Sequence, residues 1–302
     1  MGFLGLGGGK ATVQVLLDRA DVPAGGTVQA TIRVSGGRKD TEIAEGRLRL
    51  VLENEYEWRE STRSYTSSSS STSSTTTTTH REKDRKTVDE QRFLERGAIP
   101  ADTPSDYSLS IEVPAGSPGS GEGKITRVRW KVQATLARAR TRDISDEAVL
   151  EVLSPDDPSW VPPAEEVSSH GDCDLAFLLE KRAFGAGEPI EGTLVLTPSS
   201  ECHVGEVRVE LERHEDVPRG LGNEAHVRES QAIVAGALDL TPGAPLEYSF
   251  RVEVPPDPVP TLSTEHSTVR WVLKGVGART MRRDYQVTQE VLVYSAPGAH
   301  LG

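Results

Sequence analysis

Pro104-Ser105-Asp106-Tyr107-Ser108-Leu109-Ser110-Ile111-Glu112-Val113-Pro114 returns, after a shift of 141 along the chain, as Pro245-Leu246-Glu247-Tyr248-Ser249-Phe250-Arg251-Val252-Glu253-Val254-Pro255. The same shift lays Val128-Arg129-Trp130 on Val269-Arg270-Trp271, Ala137-Arg138 on Ala278-Arg279, and Arg142-Asp143 on Arg283-Asp284. An ungapped comparison of 104–143 with 245–284 finds 13 identities. A repeat of this length means two copies of one domain, so the architecture follows before any local pattern is read.

Outward from this block, both copies read as strands. Thr12 to Leu17 opens the first copy, and Pro23-Ala24-Gly25-Gly26 makes a turn. Val28, Ala30, Ile32 and Val34 then alternate with polar residues, the period of a half-buried strand. Leu48, Leu50 and Leu52 alternate in the next. The second copy replays this with Cys173 to Glu180, the turn Gly185-Ala186-Gly187-Glu188-Pro189, and the alternating sets Ile190-Gly192-Leu194-Leu196 and Val207-Val209-Leu211. Short strands between Gly and Pro turns predict an all-β chain of two β-sandwiches. The expected boundaries are a glycine leader over 1–10, a first sandwich over 11–153, a linker over 154–169, a second sandwich over 170–296 and a tail over 297–302.

Gly25 matches Gly187 at a shift of 162 and Glu53 matches Glu212 at 159. The shift has fallen to 141 by Pro104, so the first copy carries an insertion after Glu53. Ser61 to Thr79 accounts for it: every residue there except Arg63 and Tyr65 is Ser or Thr. Such a tract has nothing to bury, and is expected as a mobile loop or, given the strand propensity of Thr, a protruding ribbon. It is also a candidate for phosphorylation. The charged stretch His80 to Arg96 is expected to be the returning strand. The linker carries Pro155, Pro158, Pro162 and Pro163, which make it stiff. Trp160 within it is expected to anchor on one domain.

The formal charge of −12 disfavours nucleic acid and anionic surfaces, except where a local basic patch prevails. No apolar run reaches the roughly 18 residues of a transmembrane helix. Cys173 and Cys202 do not make a disulfide framework, although a bridge between neighbouring strands stays open. The start lacks the features of a signal peptide, and Leu6 breaks the myristoylation pattern. A cytoplasmic location follows as an expectation.

Leu178-Leu179-Glu180-Lys181-Arg182-Ala183-Phe184-Gly185-Ala186-Gly187-Glu188-Pro189-Ile190-Glu191-Gly192 resembles the strand and G-E-x-[IV]-x-G turn that open an arrestin-fold domain. Tyr248 to Pro255 and Ser267 to Gly275 are similar to two later strands of that superfamily. Two compact copies and a short glycine-bearing leader resemble its bacterial sporulation-control branch, the stage-zero M protein family. The resemblance implies two tandem arrestin-like β-sandwiches in a cytoplasmic regulatory scaffold, not an enzyme, with influence on sporulation, stress or cell division. Pro-Pro-x-Tyr, the ubiquitin-ligase motif of the trafficking arrestins, is absent: Pro162-Pro163 runs into Ala164-Glu165 and Pro255-Pro256 into Asp257-Pro258.

Catalytic patterns fail on inspection. Gly9-Lys10 lacks the other residues of a phosphate loop, since Leu4 and Ala11 stand where Gly and Ser or Thr are needed. Cys202-His203 offers two metal ligands side by side, but adjacent strand residues point to opposite faces. Neither catalytic residues, a cofactor nor a metal is therefore expected. The candidate partner surface is basic. Arg127, Arg129 and Lys131 alternate with Val128, Trp130 and Val132, which puts three cations on one strand face. Arg138, Arg140 and Arg142 follow, again at period two. The stripe is suited to an acidic partner segment or a phosphate group. Its plain alternative is cross-strand pairing with Glu53, Glu55, Glu57, Glu147 or Glu151, at roughly 0.2–1 kcal/mol per pair. Exposed sheet edges offer a second route to protein partners. The reading is a non-enzymatic scaffold for cytoplasmic proteins; the alternative is an adaptor for anionic membranes or lipid headgroups through the basic face.

Overall fold

A computed structural model describes residues 10–65, 73–139, 141–154, 172–218, 223–243 and 245–297. The glycine leader up to residue 9, Arg140, most of the Pro-rich linker with Trp160, and positions 298–302 lie outside the described residues.

The first half runs β1 (Thr12–Leu17), β2 (Asp21–Pro23), β3 (Thr27–Ser35), β4 (Thr41–Ile43), β5 (Glu45–Tyr65), β6 (Ser73–Leu94), β7 (Gly97–Ile99), β8 (Pro104–Glu112), β9 (Gly121–Glu122), β10 (Thr126–Ala137) and β11 (Ile144–Leu153). The second half runs β12 (Cys173–Leu178), β13 (Ala183–Ala186), β14 (Pro189–Pro198), β15 (Cys202–Val204), β16 (Glu206–Asp216), β17 (Glu224–Ala235), β18 (Leu238–Leu240), β19 (Leu246–Glu253), β20 (Leu262–Ser263), β21 (Thr268–Ala278) and β22 (Tyr285–Pro297). The described residues contain no helix, so none is long and apolar enough to cross a membrane.

The strand order is the same in each half. A three-stranded sheet β1-β3-β8 faces a larger sheet β2-β11-β10-β5-β6, with β9 beside β10. Advancing every label by eleven gives β12-β14-β19 and β13-β22-β21-β16-β17, with β20 beside β21. In both halves the last long strand takes a short parallel partner, β11 with β2 and β22 with β13.

Period two explains the packing. Along β10, Val128, Trp130, Val132, Ala134 and Leu136 are buried, while Arg129 and its alternating neighbours face outward. Ile32 and Val34 from β3 and Leu48 and Leu50 from β5 share one core with Trp130, Val132, Ala134 and Leu136. Trp130 and Trp271 are the largest fully buried side chains. Each indole N–H donates to a carbonyl twelve residues earlier, Pro118 at 3.0 Å and Val259 at 2.9 Å. Those two acceptors are themselves related by the repeat shift. The turns before β3 and β14 require glycine, since Gly25 and Gly187 have φ of 83° and 72°.

The chain divides into two compact units, neither of them continuous. One takes the chain up to residue 55 with 83–120 and 128–153; the other takes 56–82, 121–127 and the chain from 154 onward. The described parts of the Ser/Thr tract lie at the end of β5 and the start of β6, which pair with each other; residues 66–72 lie outside the described residues. The described flanks of the tract are strand, so there the ribbon reading holds and the loop reading does not. Ser61 Oγ and Thr77 Oγ1 lie 3.1 Å apart across it. The register comes from the stem, where Arg81 binds Glu57 at 3.0 Å and the Tyr56 hydroxyl donates to Glu82 at 2.9 Å. The stretch His80 to Leu94 is strand, as expected.

Candidate functional site

Arg127, Arg129 and Lys131 share one face of β10, while Arg138 and Arg142 follow the strand's end at Ala137 and Arg140 lies outside the described residues. Arg127 bonds Glu122. Lys131 reaches Glu147 at 2.5 Å and Glu53 at 3.4 Å, the cross-strand pairing that the sequence offers as the plain alternative. Arg129 is exposed. The Arg138 guanidinium turns back to the Arg142 carbonyl at 2.8 Å, and Arg142 is exposed.

Glu53 organises this side of the first unit. It is 2% exposed, yet meets Lys83 at 2.7 Å and Arg85 at 2.5 Å. Burial alone would push its carboxyl up. Hydrogen bonds from Lys83 and Arg85 and the charge of Lys131 outweigh this and hold it below the usual carboxylate range. A carboxyl lowered by folding stabilises the native state above its unfolded pKa, and that contribution fades as pH falls through the lower folded value. Glu53→Gln is therefore expected to flatten the acid limb of stability below about pH 4.5. Urea denaturation across that range checks it; an unchanged acid limb would contradict the assignment.

The second unit holds a denser polar network. Glu215, on β16, is fully buried. Its carboxylate accepts the backbone N–H of Lys124 at 2.8 Å, Ile125 at 2.9 Å and Thr126 at 3.2 Å, and pairs with Arg213 at 2.7 Å. Arg213 also bonds Glu229 at 2.9 Å. Beside them Thr126 Oγ1 and Ser267 Oγ are 2.6 Å apart, and Asn223 accepts the Arg59 N–H at 2.7 Å. Successive N–H groups form an anion receptor. Here the chain's own carboxylate fills it, so its role is to hold the 123–126 loop.

The open chemistry lies elsewhere in this unit. A cavity of about 950 Å³ opens where β12 ends, lined in part by Phe177, Leu178, Leu179, Gly192, Phe250 and Gln289. Phe177 and Phe250 meet edge-on with centroids 5.6 Å apart. Gln289, only 2% exposed, brings an amide from β22. Leu178 is 57% exposed, uncommon for so large an apolar side chain beside a core. Charged neighbours of both signs, Glu180, Arg182, Glu191 and Arg251, line the rest. Arg251 is tied to Glu191 at 2.6 Å and Glu253 at 2.8 Å.

Gly192 explains the shape. A Cβ there would stand 2.7 Å from the Leu178 carbonyl and 2.9 Å from the Phe250 ring. Only glycine permits this approach, and it closes the motif Gly187-Glu188-Pro189-Ile190-Glu191-Gly192 quoted above. The sequence marks that motif as a signature without showing that it lines a cavity. The signal was present: a leucine pair, Leu178-Leu179, and then a glycine inside the next strand pattern.

Cys173 and Cys202 are free thiols, the first buried and the second half-buried. Burial first, then the nearby charges of Cys202 and Asp174, push the Cys173 thiol up to about 11. His203 bonds Asp239 at 2.8 Å. His214 and His226 stack at 3.9 Å across β16 and β17. Among the described residues no three His, Cys, Asp or Glu side chains come together to hold a metal ion.

A family profile described as SpoOM protein matches residues 3–157, more than half of the chain. No curated protein matches the chain.

Proposed function

The chain belongs to the SpoOM protein family, and on that premise we propose that it is a non-enzymatic regulatory scaffold of sporulation control that binds cytoplasmic protein partners. The observation that carries the binding site is the cavity at Leu178 and Gly192, which combines an apolar interior with charges of both signs. That mixture suits an extended peptide segment: one apolar side chain packs on Leu178 and Leu179 beside the Phe177–Phe250 pair, and the peptide's polar groups meet the rim. β12 is an end strand of its sheet, so a partner backbone can run beside it. The basic stripe is a poorer choice, because Arg127 and Lys131 already have carboxylate partners.

The test is a crosslinked pull-down from the native cell with the wild-type chain and Leu178→Glu, read by mass spectrometry. Leu178 is exposed, so the variant should melt as wild type does. The wild-type chain is expected to retain a repeatable set of proteins that Leu178→Glu loses. An identical set from both, or none from either, would remove the cavity as the partner site.

A further inference from the structure

Two hairpins close in the same way. Asp143 Oδ1 accepts the Arg138 N–H at 3.0 Å between β10 and β11, and Asp284 Oδ1 accepts the Arg279 N–H at 2.9 Å between β21 and β22. These are Arg and Asp positions that the repeat shift superposes. The second hairpin is braced further. The Arg279 guanidinium lies 4.4 Å over the Tyr285 ring and 3.6 Å from Asp172.

What this base presents is Thr280-Met281-Arg282-Arg283. Met281 is fully exposed, at 100%, and has φ of 58°. Non-glycine residues seldom take left-handed backbone, and here it holds an apolar side chain out in water. Arg282 and Arg283 are exposed, and neither forms an ion pair with any described residue. The other arginine of the loop, Arg279, is spent on the base. The tip is thus an apolar apex beside two available cations, on a chain of net charge −12.

We infer that the Thr280–Arg283 tip docks on an anionic bilayer surface. Met281 enters the interfacial zone, where an unbranched thioether adapts to loosely packed chains. Arg282 and Arg283 meet lipid phosphates, each strengthening binding about fivefold. An acidic peptide would use the two arginines but has no need of the apex. The negative charge of the remaining surface does not forbid this, since exposed charges are screened beyond roughly 8 Å at physiological salt. The contact differs in place from the basic strand face, and it adds a membrane to the protein-binding role proposed above.

The experiment is co-sedimentation of the full chain with vesicles of phosphatidylglycerol and phosphatidylcholine in equal parts, against phosphatidylcholine alone. Binding is expected to the anionic vesicles, weakening with salt. The double variant Arg282→Gln, Arg283→Gln should bind about 25-fold more weakly. Met281→Asn, which tolerates the same backbone, should lose about fivefold. All variants should keep the wild-type melting curve, because the tip is exposed. Equal binding to both vesicle types, or variants that bind as wild type does, would overturn the inference. Retention on polyglutamate with none on vesicles would also overturn it, and would reassign the tip to an acidic protein. The assay uses no protein partner, so its failure leaves the cavity reading intact, and the Leu178→Glu result does not bear on it.

Discussion

Glu215→Ala is expected to destabilise the second unit by about 3–5 kcal/mol, because it removes a buried carboxylate that both pairs with a buried arginine and accepts three backbone N–H groups. The Tm should fall on the order of 10 °C. Three backbone N–H groups, from Lys124, Ile125 and Thr126, lose their acceptor at once, and Arg213 loses one of its two carboxylates. Water cannot replace them cheaply at a fully buried site. The contrast is Arg33→Ala. Arg33 binds Asp106 bidentately at 2.9 Å, but both side chains are about half exposed, so solvent screens the pair and its loss should be small beside that of Glu215. Urea denaturation of both variants decides the matter. Equal, small losses would mean that the 123–126 loop is held by other contacts.

Trp271→Ala should cost about 3–5 kcal/mol by opening a cavity in the core of the second half. Trp271→Phe separates two effects. It keeps most of the buried ring but orphans the Val259 carbonyl, which now accepts the indole N–H. A loss of about 1–3 kcal/mol is expected from that alone. Trp130→Phe should behave alike, since Pro118 is left in the same way. Denaturation followed by circular dichroism reads all three. A Trp271→Phe variant as stable as wild type would show that the hydrogen bond contributes little beyond burial.

The fold was legible because its signals are local and doubled. Alternation along Val128 to Leu136 names the buried face of β10 without reference to any other strand. The repeat then assigns β21 the same role. The site was much less legible. Glu215 and the amides it holds lie far apart in sequence, and no short-range pattern links them. The cavity depends on Gln289 arriving from β22 beneath Phe177 and Phe250, a juxtaposition made only by sheet stacking. The stripe was legible only in part. Arg127, Arg129 and Lys131 share one face of β10 as alternation requires, but pattern alone does not show which carboxylates stand opposite. The left-handed backbone at Met281 has no sequence signature either, since methionine is not a residue that favours it.

The strand order that recurs in both halves has an evolutionary consequence. A duplicated domain carries its folding instructions in two places, so each copy drifts freely wherever the fold makes no demand. The positions still identical after that drift include a buried tryptophan, the aspartate that closes each hairpin and the proline that follows each β8-type strand. The ribbon of the first copy and the hairpin tip of the second are where the copies have parted. Divergence of this kind turns one ancestral surface into two, each able to acquire a separate ligand while the shared framework stays under common selection.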